Sequence, residues 1–286
     1  MSTSTLPQVQ TVVGELNYLD PYSKNSGLFV APGDHVDAGV YRGYEVTIRN
    51  GRPVQDRFTL ERHGFTLLNS PSPLTDFTDK QQIDEVYLPS ALETVREALG
   101  ADLIIPGNVT MRMGEAPGDS SAQPAAAQVH CDVSAPSGVS RFAEAYEKSF
   151  PGGRPFKRAI MTSFWRVINE PPQDWPLTLC NYESVEQREG VLNPLVWVDK
   201  LPSDPQKAIE ELDRSTVQSG SVFYYNPDHE WWYFPEMTRD EALLFTLNDS
   251  DQSHAWRALH SAFRDPTVTA DHTRHSIEFR TIGFFL

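Results

Sequence analysis

The stretch Gln128-Val129-His130-Cys131-Asp132-Val133-Ser134 decides how this chain reads. In extended backbone alternate side chains share a face, so His130 and Asp132 point one way and Cys131 the other. A His-x-Asp pair joined by one more histidine supplies a 2-His-1-carboxylate set for Fe(II), which leaves the opposite face of the metal open to a co-substrate and oxygen. His260, far along the chain, is the candidate for the third ligand. The triplet alone is weak evidence. Eight histidines and 39 acidic residues among 286 positions predict about one His-x-Asp or His-x-Glu match by chance. His35-Val36-Asp37 is a second match, bounded by Pro32, Gly33 and Gly39, and reads as a surface turn with strand on one side.

The other end of the chain strengthens the reading. Arg274-His275-Ser276 leads into the apolar run from Ile277 to Leu286. A guanidinium and a hydroxyl at i and i+2 of a strand share a face and together grip a carboxylate by charge and hydrogen bond. That is the second half of a 2-oxoglutarate site. Arg280 lies on the same face of a regular strand and competes with Arg274 for this role.

Composition narrows the function classes. With 24 basic against 39 acidic residues the net charge is −15, which disfavours phosphate backbones and anionic membranes as partners. The opening MSTSTLPQVQTVVGEL lacks the basic flank and apolar core of a signal peptide. No apolar run is long enough to span a bilayer. A soluble, cytoplasmic protein is expected, with no nucleic-acid or membrane partner and an unassigned oligomeric state. Two cysteines, Cys131 and Cys180, are too few for a disulfide framework and fit no zinc spacing. Cys131 is expected to pack on the back of its strand.

Residues 1–12 are polar and expected to fray, leaving 13–286 as a single domain whose jelly-roll core runs from about 125 to 286. Between Val40 and Leu68, alternating β-branched, aromatic and charged residues surround Asn50-Gly51, a hairpin turn signal. Pro89 to Leu99 places Ala91, Leu92, Val95, Ala98 and Leu99 at helical spacing before Gly100, and a second helix is expected from Ser140 to Phe150. Seven strands follow: 159–168, 177–180, 195–198, 221–225, 230–234, 242–247 and 276–285. A mainly β fold with flanking helices is expected, an antiparallel sandwich or jelly-roll whose distant strands meet at a common mouth.

Taken in order, QVHCDVS (128–134), FWRVIN (164–169), QDWPLTLCN (173–181), YYNPDHEWWYFPEMTRDEALLF (224–245), ALHSAFRDP (258–266) and RHSIEFR (274–280) resemble the AsaB-like hydroxylase/desaturase family. That family includes relatives of gibberellin desaturase and of the cephem methoxylase accessory protein. The match covers nearly the whole chain after residue 40. It implies a non-haem iron oxygenase of fungal secondary metabolism on a double-stranded β-helix core, using Fe(II), 2-oxoglutarate and O2. His130 and Asp132 take the positions of the family's His-x-Asp, and His260 that of the later metal histidine. The residues alone leave His254 and His260 level, and the resemblance selects His260. Arg274 and Ser276 resemble the pair that holds the distal carboxylate of 2-oxoglutarate, with His275 between them where the family pattern carries an acid. Arg274 is preferred to Arg280.

His63, His229, His254 and His272 are expected to be structural. Tyr233 is chosen, on motif position, from the aromatic cluster 224–234 as a donor to a substrate or cosubstrate oxygen, although most of that cluster is expected in the core. Trp165, Arg166 and Asn169 are candidates for substrate contact. An arginine inside an apolar strand needs a partner, either an acidic residue of the protein or a substrate carboxylate. The latter suggests an amino acid or other small acid as substrate. The oxygenase class that the resemblance implies can end in hydroxylation, desaturation or ring closure such as C–N bond formation. An iron oxidase independent of 2-oxoglutarate, a non-catalytic jelly-roll partner protein and a zinc hydrolase are the competing classes. A hydrolase has no evident use for the Arg-x-Ser pair.

Overall fold

The computed structural model describes residues 9–113, 125–269 and 273–286. Its strands, numbered along the described chain, are β1 (Thr11–Leu19), β2 (Leu28–Ala31), β3 (Asp34–Asp37), β4 (Tyr41–Asn50), β5 (Phe65–Asn69), β6 (Leu103–Met113), β7 (His130–Cys131), β8 (Arg158–Val167), β9 (Leu177–Cys180), β10 (Val191–Trp197), β11 (Ser219–Val222), β12 (Trp231–Tyr233), β13 (Glu241–Asp249), β14 (His260–Ala262) and β15 (His275–Phe285). They form a ten-stranded sheet in the order β1-β4-β12-β9-β14-β7-β11-β10-β2-β3 and a five-stranded sheet in the order β5-β13-β8-β15-β6.

Strand alternation separates three apolar layers. Trp165 and Val167 of β8, Leu243 and Phe245 of β13 and Ile282 and Phe284 of β15 face Leu177, Leu179 and Trp232 of the larger sheet, which closes the main core between the sheets. The intervening Phe164, Leu244, Ile277 and Phe279 face outward and are covered by the helix Leu88–Leu99 through Ala91 and Val95. Cys131, Cys180, Trp231 and Tyr233 lie on the far face of the larger sheet. This is the expected mainly β, double-stranded β-helix (jelly-roll) architecture with supporting helices.

Most of the later strands fall close to their expected bounds, β10 starts four residues earlier than expected, and several earlier expectations are corrected. Val40 to Leu68 is not a hairpin, because β4 pairs with β1 and β12 while β5 pairs with β13 in the other sheet. Gly51 has ordinary right-handed φ and ψ (−77°, −14°) and starts a short 3-10 helix containing Pro53. Its need for a bare backbone comes from packing: a Cβ there would lie 2.7 Å from the Phe234 ring. The second helix runs Ala135–Ser149, starting earlier than expected because the Ser134 side chain caps it by accepting from the Ser137 N–H. Ala98 is exposed. Residues 1–8 and His272 lie outside the described residues, and β1 already begins at Thr11.

Candidate active site

β7 runs between β11 and β14, and His130 and His260 are direct cross-strand partners. Side chains opposite each other in an antiparallel pair share a face. The two imidazoles accordingly lie side by side, with ring centroids 4.2 Å apart. Cys131 points to the other face, where it is buried and its thiol donates to the Ala258 carbonyl at 3.3 Å. β7 ends after two residues, and Asp132 stands on the bend that follows. The chain just beyond is pinned by the Asn248 amide, which donates to the Ser134 carbonyl at 3.1 Å.

Two histidines and a carboxylate then converge. Asp132 Oδ1 is 3.4 Å from His130 Nε2 and 4.0 Å from His260 Nε2, and the three ligand atoms all lie within 4.8 Å of one another. Nδ1 of His130 is 2.7 Å from the Gln128 carbonyl, and Nδ1 of His260 is 3.0 Å from the Ala258 carbonyl. Each Nδ1 beside an acceptor carries the ring proton, which leaves both Nε2 lone pairs for a metal. Burial, and next the neighbouring His130, push the His260 imidazole down to about 3, which keeps it neutral. Burial alone would raise the Asp132 carboxyl, but Arg280 and the two histidines outweigh it and hold it well below the usual range. Two imidazoles presenting Nε2 together with an ionised carboxylate form the donor set Fe(II) takes.

This cluster lines a pocket whose wall also includes Trp165, Phe245, Arg274, Glu278 and Arg112. Arg274 is 3 % exposed. One of its nitrogens donates to the Trp175 carbonyl at 2.9 Å and its plane lies over the Trp165 ring, yet its Nε has no protein partner. Ser276, two residues on and on the same face, has a buried and likewise unpartnered Oγ. Burial, then the nearby Arg112, push the Arg274 guanidinium down to about 9. It stays charged at neutral pH, and an incoming carboxylate would offset the cost of burying that charge.

Other candidates lie elsewhere. Arg166 is on the outward face of β8, the face opposite Trp165. There it donates to the Arg239 carbonyl and to Ser70 Oγ (3.1 Å), and its charge lies over the Tyr87 and Phe164 rings. Its partners are a carbonyl, a hydroxyl and two ring faces, with no acidic group among them, and its buried Nε has no hydrogen-bond partner. Asn169 bridges the end of β8 to the start of β15, accepting from His275 N (2.8 Å) and donating to the Thr273 carbonyl (3.0 Å). Tyr233 faces away from the main core and packs edge-on against Phe263. Arg280 is 2.9 Å from Asp132 Oδ2. His254 joins Glu61 and Asp251, each at 3.2 Å, and His229 joins Glu189 and Tyr18 in a buried network. His35 sits in the exposed β2–β3 hairpin.

Sequence reasoning missed Arg112, Glu278 and Asp174. Arg112 pairs with Ser276 across β6 and β15, and Asp174 accepts from the Arg274 N–H at 2.9 Å. Glu278 was legible as the next residue on the Arg274–Ser276 face. No local pattern marks the other two, because their roles follow from strand order and loop path.

Fold and site together define a non-haem Fe(II)- and 2-oxoglutarate-dependent dioxygenase. The chain belongs to the family described as Oxidoreductase/YMDC permease-like domain, which it matches over residues 16–284, and among its relatives are AsaB-type hydroxylases/desaturases. It is 30% identical over 241 residues to the alpha-ketoglutarate-dependent dioxygenase phiK of Fungal sp. (strain ATCC 74256), covering 80% of each chain. Over 134 residues it is 32% identical to the hydroxylase/desaturase asaB of Aspergillus flavus, covering 45% of this chain and 56% of that one. Its fold is that of the solved iron and alpha-ketoglutarate-dependent endoperoxidase NvfI, with a TM-score of 0.78 at 21% identity over 96% of this chain and 97% of the other. No helix among the described residues is long and apolar enough to cross a membrane.

Proposed function

We propose that His130, Asp132 and His260 hold Fe(II), that Arg274 and Ser276 hold the distal carboxylate of 2-oxoglutarate, and that Trp165 and Phe245 wall the space for a small organic substrate. One observation carries this reading. Three converging ligand atoms line a pocket whose wall also carries a buried guanidinium, beside a hydroxyl, both with unused hydrogen-bonding capacity. With iron bound, the site supplies oxidation of an unactivated C–H bond, with O2 consumed and 2-oxoglutarate converted to succinate and carbon dioxide.

The protein's own residues bind and orient. Carbonyls at Gln128 and Ala258 fix the imidazole tautomers, and Asp174 and Trp175 fix Arg274 from its backbone and its guanidinium. Such buried, multiply held groups are preorganised and need little rearrangement when the co-substrate arrives. The outcome on the substrate, whether hydroxylation, desaturation or ring closure, is governed by where the pocket holds the reacting carbon. Residues 13–286 are taken as one oxygenase unit, since β5 and β6 complete the smaller sheet and β1 to β4 extend the larger one.

The test is anaerobic addition of Fe(II) and then 2-oxoglutarate to purified apoprotein. A weak visible charge-transfer band should appear and be lost in His260→Ala. Iron uptake with no band would shift the assignment to an oxidase independent of 2-oxoglutarate. Failure to bind metal would favour a non-catalytic partner protein.

A further inference from the structure

Asp132 divides its two oxygens between different partners. Oδ1 faces the imidazoles at 3.4 and 4.0 Å, while Oδ2 lies 2.9 Å from Nη2 of Arg280, an ion pair of charge and proximity in which Oδ2 receives no aligned hydrogen bond. Arg280 is held in turn from behind, its Nε donating to Glu278 Oε1 at 3.1 Å. All three groups are largely withdrawn from solvent, with side-chain exposures of 14% for Asp132, 22% for Arg280 and 9% for Glu278.

The backbone at this point is irregular in a way that serves the contact. β15 and β6 pair as Phe279 with Val109 and then as Thr281 with Pro106. Gly107 and Asn108 therefore stand opposite Arg280 alone, which is a bulge on β6. Bulges increase local twist, re-aim side chains and are over-represented beside active sites. The close approach needs glycine, since a Cβ on Gly107 would lie 2.9 Å from the Arg280 carbonyl oxygen and 3.2 Å from its Cβ.

We propose that Arg280 is a positioning residue for the metal-ligand carboxylate: it occupies Asp132 Oδ2 so that Oδ1 alone is offered to iron, and Glu278 anchors Arg280 in that pose. The inference rests on the reading of His130, Asp132 and His260 as the iron site. A carboxylate with one oxygen unengaged can swing to bind a metal through both. That would use one of the three positions a 2-His-1-carboxylate set leaves open, and co-substrate plus oxygen require all three. The Arg280 ion pair removes this alternative and leaves Arg274, on the same strand face, for the co-substrate.

The test reads metal binding itself: anaerobic Co(II) titration of the full chain, following affinity and visible d–d absorption. Arg280→Gln should weaken Co(II) binding about 10–100-fold, the usual cost of losing a group that orients a ligand, and should alter the d–d spectrum while circular dichroism stays unchanged. Arg280→Lys, which restores the charge, should recover part of the affinity. Wild-type affinity and spectrum in Arg280→Gln would overturn the inference alone. If that variant does not fold, Glu278→Gln decides, with a several-fold loss expected and an unchanged titration contradicting the proposal. A wild-type chain that takes up no Co(II) would remove the iron-site reading and this inference with it.

Discussion

Arg274 and Ser276 show how much a single side chain can be asked to do. Both are buried with an unpartnered polar atom, a costly arrangement unless a ligand completes it. Arg274→Ala should raise the dissociation constant for 2-oxoglutarate about 30-fold or more, since truncating one member of a buried charge pair costs about 2–5 kcal/mol. Ser276→Ala removes one hydrogen bond and should cost only about 0.5–1.5 kcal/mol, a shift of several-fold. Titration of the metal-loaded protein without oxygen measures both, and equal affinity in Arg274→Ala and wild type would move the carboxylate site elsewhere. Neighbouring positions can have opposite fates. Trp165 walls the pocket, whereas Arg166, one residue on, sits behind the sheet against Tyr87. The apolar setting of Arg166 suggested an acidic residue or a substrate carboxylate as its partner, whereas it meets a carbonyl, a hydroxyl and two rings, because its face of β8 is turned away from the pocket.

At the scale of elements, periodicity served well where strands are long and poorly where chain direction changes. β8, β13 and β15 were readable because long runs of β-branched and aromatic residues end at turn-forming residues. Asn50-Gly51 misled, since the glycine answers a steric demand from Phe234 rather than a turn. This makes a clean prediction. Gly51→Ala should lower stability by about 1–3 kcal/mol through overpacking, with no backbone penalty because φ is −77°. Thermal unfolding checks it, and an unchanged midpoint would mean that the Phe234 ring moves aside freely. β7 carries two metal-site residues within or next to a strand only two residues long, too short for any propensity to announce, and it is legible through its ligands instead.

For the molecule as a whole, the metal site sets a pH dependence of folding. The His260 pKa is depressed to about 3 in the folded chain, by burial and then by His130, whereas the unfolded chain takes up that proton near 6.5. Between these values the unfolded state binds more protons, so stability of the apoprotein rises with pH and is lost on acidification below about 6.5. The depressed Asp132 pKa acts in the same direction at lower pH, as the unfolded carboxyl protonates before the folded one. Urea unfolding of metal-free protein should show a slope of up to about 1.4 kcal/mol per pH unit from this histidine between about pH 5 and 6.5. His260→Gln should flatten it, and a wild-type profile already flat over that range would count against a neutral, buried His260.

Sequence by itself determined which donor types are available, a His-x-Asp pair with a later histidine as the iron ligands we propose and an Arg-x-Ser pair as the proposed carboxylate site, and enough alternating strands to suggest an antiparallel sandwich or jelly-roll. Side-chain period and donor type are local properties, fixed by residue identity and spacing whatever the order of the strands. Tertiary structure alone decided that β14 lies against β7 so that His260 meets His130, that Arg274 lines the pocket while Arg280 meets Asp132, and that Arg112 and Asp174 join them. Each of these is a contact between residues distant in sequence, set by strand order, by a one-residue bulge and by the twist it imposes, none of which local pattern encodes.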